Sequence, residues 1–166
     1  MDAQGMDNYE FNEVLFRSNV EYGPGCWVWK RYRNAGGYGR VWVKRNGKPY
    51  TATAHRVAYV LANGPVSSRL EIDHTCRNPS CVNPAHLRAV TPKQNMENMS
   101  GPRVDSKSGV RGVHWRKKDK CWGAEVSHHG RRQHVGLFRS IEAAEAAVIA
   151  KRIELFTHND ADRKAS

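Results

Sequence analysis

Long apolar runs are missing from this 166-residue chain. No stretch reaches the roughly 20 residues needed to cross a bilayer. The opening residues, Met-Asp-Ala-Gln-Gly-Met-Asp, lack the basic-then-apolar order of a secretory signal. A membrane protein or an exported one is therefore not expected, and the expected location is the cytoplasm. Cysteine is scarce, with four in all. In a reducing compartment such a set holds metal more readily than it forms disulfides. Acidic residues are in deficit, 16 Asp and Glu against 27 Lys and Arg, for a net charge of +11. Residues 1–100 carry 13 basic against 8 acidic side chains, and residues 101–166 carry 14 against 8. Both halves are thus suited to a polyanion, most simply nucleic acid. No internal repeat or low-complexity tract is present.

Against this sparse background one stretch is dense in chemistry. Ile72 to Met99 holds Cys76, Cys81 and His86 in a C-x4-C-x4-H pattern, directly after Asp73-His74. Two sulfurs and an imidazole suit zinc, which takes four ligands when its role is structural. The fourth must come from elsewhere, and the other cysteines are Cys26 and Cys121.

In chain order, Phe11, Val14 and Leu15 share a helical face within residues 8–18. Residues 26–30, 38–44 and 49–53 read as strands rich in aromatic and β-branched residues, with Asn46-Gly47 as a hairpin turn. Trp27, Trp29 and Trp42 read as core of this small sheet. From Ala54 the period becomes helical, and Gly64-Pro65 ends that helix. Leu70 to Ile72 form a short strand leading to His74. Asn78-Pro79 and Asn83-Pro84 keep the cysteine-rich loop irregular. Thr91-Pro92 opens a helix carrying Asn95 and Asn98. Residues 100–108 have linker composition. Beyond them, 110–116, 121–127 and 133–137 read as three strands, and Ser140 caps a long helix. The residues from 159 read as a flexible tail.

A strand ending in His74, a metal-pinned loop and a helix presenting Asn95 suit phosphodiester hydrolysis. Histidine serves as base near neutral pH, and Asp73 and Asn95 offer oxygens to a Mg²⁺-like ion. The run D-H-x-C-x4-C-x-N-P-x-H-L with a following helical Asn resembles the ββα-metal nucleases, the HNH family and its His-Cys box homing endonuclease relatives, over about residues 26–99. The resemblance implies His74 as general base, Asn95 as ligand of a catalytic Mg²⁺ or Mn²⁺, and Asp73 as a further ligand, with Asn98 the rival on the helix. It implies a structural zinc on Cys76, Cys81 and His86 with Cys26 as fourth ligand. Asn83 is expected to shape the loop. Arg40, His55 and Arg56 are the candidates to hold the scissile phosphate, since arginine pairs with phosphate through two parallel hydrogen bonds.

Residues 108–157 resemble the plant APETALA2/ethylene-response-factor DNA-binding domain, through Arg111-Gly112-Val113, Trp122 to Val126, Val135 to Phe138 and the alanine-rich helix. The resemblance implies a sheet laid in the major groove, with Arg111, His114, Arg116, Glu125, Arg132 and His134 on its exposed face. His114 and His134 depart from the Arg and Trp usual there. Cys121, which opens a strand, reads as a small buried hydrophobe.

The expected fold class is α+β: a zinc-stapled ββα-metal nuclease domain over 1–99, a linker over 100–108, a three-stranded antiparallel sheet packed on one helix over 109–158, and a tail over 159–166. The expected function is site-specific cleavage of double-stranded DNA by a homing or phage-encoded enzyme in a bacterial or phage-infected cell. No small-molecule cofactor is expected, and monomer and homodimer both remain open. The competing class is a non-catalytic zinc-containing DNA-binding regulator. A zinc nucleobase deaminase would need His-x-Glu and Pro-Cys-x-x-Cys, and neither occurs.

Overall fold

The computed structural model describes residues 6–45, 47–99, 101–102 and 105–164. Asn46 of the expected hairpin turn and Ser100, Arg103 and Val104 of the expected linker lie outside the described residues. The chain divides into two compact units, 1–92 and 93–166. Both mix helices with small antiparallel sheets, so the fold class is α+β. Among the described residues, no helix is long and apolar enough to cross a membrane.

The first unit begins with two short strands, β1 (Met6–Asp7) and β2 (Tyr9–Glu10), the second of which lies where the apolar spacing predicted helix. The helix α1 starts later, at Glu13–Ser18, because the side chain of Asn12 accepts from the Leu15 amide and caps it there. Then come β3 (Val20–Glu21), β4 (Val28–Trp29), β5 (Arg40–Arg45) and β6 (Lys48–Thr53). The sheet order is β2-β5-β6, while β4 pairs with β3. A strand from the chain's start thus takes the place expected for residues 26–30.

Helix α2 (Ala54–Asn63) begins directly at the end of β6 and stops at Gly64, which has φ 83°. Strand β7 (Val66–Ser67) returns to pair with β1. Strand β8 (Glu71–His74) pairs antiparallel with β9 (Leu87–Val90), and the metal-binding motif forms the connection between them. Helix α3 (Pro92–Glu97) follows, and all of it but Pro92 belongs to the second unit. The core of the first unit gathers Phe16, Trp29, Val43, Val57, Val60 and Ile72. Trp27 packs against it and Trp29 is buried within it, but Trp42 is 76% exposed. It sits on the face of β5 opposite to buried Val43, so the period-two alternation places it in solvent.

Gly39 explains how the chain enters β5. A Cβ there would lie 2.5 Å from Trp29 Cδ1, so only glycine lets the backbone pass the buried indole. Its carbonyl accepts from the Ala54 amide at 2.9 Å, which ties the start of β5 to the start of α2.

In the second unit, β10 (Val113–Arg116), β11 (Cys121–His128) and β12 (Arg131–Phe138) form one antiparallel sheet. Ser140 caps α4 (Ile141–Leu155) by accepting from the Ala143 amide. Ala144 and Val148 of α4 bury against Val113, Ala124 and Val126 of the sheet. This is the three-stranded sheet on one helix that the sequence pattern predicts. Residues 159–164 do not form the tail expected from their polarity. Asp160–Lys164 form helix α5, Asn159 is 2% exposed, and Arg152 grips Asp162 through two bonds of 2.7 and 2.8 Å.

Candidate metal centre and active site

The β8–β9 connection brings together residues from two distant parts of the chain. The Val28–Cys81 bridge, the Trp29 amide bonded to the Ser80 carbonyl and the Val82 amide bonded to the Trp27 carbonyl lay the Cys26 segment against the loop. Asn83 adds a side-chain bond of 2.7 Å to the Gly25 carbonyl. Its Oδ1 meanwhile accepts from the Ala85 amide and opens the turn at Pro84–His86. Asn83 is therefore bonded to the backbone of the Cys26 segment and to that of its own turn.

The result is a cluster of Cys26, Cys76, Cys81 and His86 whose ligand atoms all lie within 4.8 Å of one another. His86 Nδ1 is 3.7 Å from the sulfur of Cys26 and 3.6 Å from that of Cys81. Tetrahedral zinc, with bonds of roughly 2.3 Å to sulfur and 2.0 Å to nitrogen, sets such atoms about 3.6 Å apart. The donor set and spacing fit zinc. Burial pushes the Cys81 thiol up to about 12 and raises Cys76 as well, and a cation is what makes thiolates favourable in such a place. Cys121 lies on β11 of the second unit and is not among the cluster residues.

His74 closes β8 at 6% exposure. Its Nε2 is 2.9 Å from the carbonyl oxygen of Cys81. A carbonyl only accepts, so Nε2 carries the proton and Nδ1 keeps a lone pair. Burial lowers the pKa of His74 below its ordinary value, against the Cys81 bond and the charge of Asp73, which raise it. The imidazole is thus neutral at neutral pH.

The His74 ring stands 4.6 Å from that of His55 and 6.0 Å from that of Tyr38, and the latter two are 5.4 Å apart. His55 is buried, and burial with the nearby His74 and Arg56 lowers its pKa to about 3. A neutral His55 offers a phosphate no charge. Tyr38 is 38% exposed and was not among the expected site residues. Its signal in sequence is the neighbouring Gly39, whose close packing points the segment at the start of α2.

Asp73 lies opposite Arg88 in the β8–β9 register, and Arg88 donates to its Oδ2 through Nε at 3.0 Å and a terminal nitrogen at 2.9 Å. Arg56 is not placed to bind phosphate. Its Nε pairs with buried Asp7, and its terminal nitrogens donate to the Leu70 and Ser67 carbonyls at 2.7 and 2.9 Å. Arg40 donates to the Thr51 carbonyl at 3.1 Å and lines a hollow beside Trp42. Asn95 is carried by α3. Asn98, the rival ligand, is buried, and its side-chain oxygen accepts from the Asp160 amide at 3.2 Å.

In the second unit the β10–β11–β12 register collects His114, Arg116, Glu125, Arg132 and His134 on one sheet face. Gly123 makes room for it, because a Cβ there would meet His114 and Arg116 at 2.9 and 3.0 Å. A bulge between Ala124 and Glu125 brings Glu125 opposite His134. Arg111 does not join this face. Its guanidinium donates to the carbonyls of Met96, Glu97 and Met99 and lies over the Phe156 ring.

The HNH endonuclease family matches the chain over residues 52–97, a span that includes His55, His74, three of the four cluster residues and Asn95. Relatives occur in Escherichia phage T7. Protein 2.8 is 43% identical over 90 residues, 54% of this chain and 60% of that protein. Protein 7.7 is 45% identical over 74 residues, 45% of this chain and 54% of that protein. Protein 3.8 is 33% identical over 91 residues, 55% of this chain and 72% of that protein. The chain spans little more than half the length of proteins 2.8 and 7.7. No solved structure matches it significantly.

Proposed function

The chain belongs to the family of protein 3.8 of Escherichia phage T7 and carries an HNH endonuclease domain, and from that premise we propose that it is a metal-dependent endonuclease that cuts double-stranded DNA at a specific site, of the homing or phage-encoded kind. The observation that carries the reading is the state of His74. Its Nε2 is committed to the Cys81 carbonyl, so its other ring nitrogen is a neutral base held in one orientation.

In the proposed reaction, water attacks the phosphorus of a phosphodiester and gives its proton to His74 Nδ1. The bond to the 3′ oxygen breaks, leaving a 5′ phosphate and, once protonated, a 3′ hydroxyl. A divalent ion, Mg²⁺ or Mn²⁺, on Asn95 and Asp73 would supply positive charge to the scissile phosphate and leaving oxygen. Asp73, paired with Arg88, also places a fixed negative charge beside His74. Cys26, Cys76, Cys81 and His86 would hold zinc as a structural staple that keeps the Cys81 carbonyl in place. Neutral His55 and Tyr38 orient the base rather than bind phosphate.

The second unit is proposed to bind the DNA in the manner of an APETALA2-like sheet, through His114, Arg116, Glu125, Arg132 and His134. A sheet face bearing Arg116 and Arg132 fits the major groove.

A supercoiled-plasmid cleavage assay with Mg²⁺ or Mn²⁺ tests this, using wild type beside His74→Ala with zinc measured on both. Cutting by wild type and none by the variant, at about one zinc per chain in each, is the expected result. Equal cutting by both would remove His74 from the chemistry. Salt-sensitive binding without any cutting of a genome carrying the target would favour a DNA-binding regulator.

A further inference from the structure

We propose that the open face of the β2-β5-β6 sheet is a docking site for unpaired nucleotides, with Trp42 as the stacking platform. The proposal goes beyond cleavage, since this binding requires no reaction at His74.

Trp42 is 76% exposed on a strand whose other face is buried. A single exposed apolar residue means little, but Trp42 is not single. It stands between two hollows. The larger, about 970 Å³, is also lined by Leu15 and Tyr32, which are 60% and 73% exposed. The smaller is about 470 Å³ and includes one charge of each sign, Lys44 and Glu10, so the cationic character belongs to the larger hollow. Clustered exposed aromatic and aliphatic surface marks an interaction site, and the larger hollow is within the size range of ligand pockets.

Its lining says what kind of partner fits. Arg31 and Arg40 line the larger hollow together with Asn12, and no Asp or Glu does, although the chain has 16. A cationic rim repels a second copy of a chain with net charge +11. It attracts phosphate, for which the arginine fork is suited. Asparagine offers paired donor and acceptor to a base edge. Aromatic rings flanked by cations are the chemistry that holds single strands, because every base has a face to stack while its backbone meets the charge. In a regular duplex the base faces are covered by their neighbours, so an indole on a sheet face reaches them only where a strand is unpaired or frayed.

The test is fluorescence anisotropy with the full chain carrying His74→Ala, so that binding is read without cutting. The probes are a labelled 20-nucleotide single strand and the same sequence as a duplex. Trp42→Ala in that background is expected to weaken single-strand binding about 5- to 150-fold, the range of a lost base–aromatic stack, and to change duplex binding less than twofold. Trp42→Phe should keep most of the affinity. Unchanged single-strand binding by Trp42→Ala would overturn the proposal, as would an equal loss on both probes. A shift of the wild type from dimer to monomer on Trp42→Ala, seen by sedimentation, would assign the face to self-association and overturn it too. Failure here leaves the plasmid assay of His74 untouched, and failure there leaves this one untouched.

Discussion

His74 is tethered to the metal cluster by one bond: its Nε2 lies 2.9 Å from the main-chain oxygen of Cys81, whose sulfur is one of the four candidate ligands. The base and the staple are therefore mechanically linked. The same residue that would hold zinc through its side chain selects the tautomer of the histidine through its backbone.

Replacing His74 separates the two roles. His74→Ala is expected to lower cleavage by about 10²- to 10⁴-fold, the usual contribution of a positioned base. Zinc content should remain near one per chain by atomic absorption. Loss of zinc from that variant would show that the tether works in the opposite direction, from ring to loop.

Cys26 brings a candidate ligand from a segment 50 residues before Cys76. Cys26→Ser is expected to lose zinc and to lower the melting temperature sharply, because a structural zinc contributes folding energy outright. Cys121→Ser should keep its zinc. Equal zinc loss in both variants would put the wrong cysteine in the site.

Arg56 is expected to matter to stability rather than to DNA. Its pair with Asp7 is buried, at 15% and 5% side-chain exposure. Arg56→Ala should destabilise by about 3–5 kcal/mol in denaturant unfolding, the range for stranding one partner of a buried pair. A stable Arg56→Ala variant with weakened DNA binding would return this residue to the phosphate-binding role.

His55 predicts an acid sensitivity. Its folded pKa is about 3, below the ordinary 6.5, because burial disfavours the charged ring. The unfolded chain therefore binds the extra proton between pH 6.5 and 3. The stability that neutral His55 contributes is complete above pH 6.5 and is progressively lost as the pH falls toward 3. His55→Phe should flatten the fall of melting temperature across that window. An unaltered slope would assign the acid sensitivity elsewhere.

Arg111 offers a contrast with its neighbours. Arg111→Ala should lower the stability of the second unit, since three carbonyls lose their donor. Arg132→Ala, on the open sheet face, should weaken DNA binding and its salt dependence with little loss of stability. Reversed outcomes in binding and melting experiments would exchange the two roles.

Local chemistry explains what was legible in the chain. Three candidate ligands, Cys76, Cys81 and His86, announce themselves by element and spacing, because zinc accepts few residue types and a tight loop allows few spacings, while Cys26 was implied by the family resemblance alone. Ala54–Asn63 and the capped helix after Ser140 follow from apolar period and end signals that act within a few residues. The pairing of β8 with β9 was not legible, since Leu87–Val90 has little strand character until Glu71–His74 lies beside it. Nor was the fate of individual cations. Arg40, Arg56 and Arg111 are alike as residues, and only the fold supplies the Asp7 carboxylate and the several carbonyls that claim Arg56 and Arg111, against the single Thr51 carbonyl that engages Arg40. The same holds for Trp42 against Trp29. Both are strand tryptophans, and which one is buried depends on which face of the sheet the rest of the unit covers. Sequence by itself determined three of the candidate metal ligands, the candidate base and the helices α2 and α4, whose causes lie within a loop or a turn. Tertiary structure decided which charges are spent inside the fold and which remain for a partner, because that depends on groups distant in the chain.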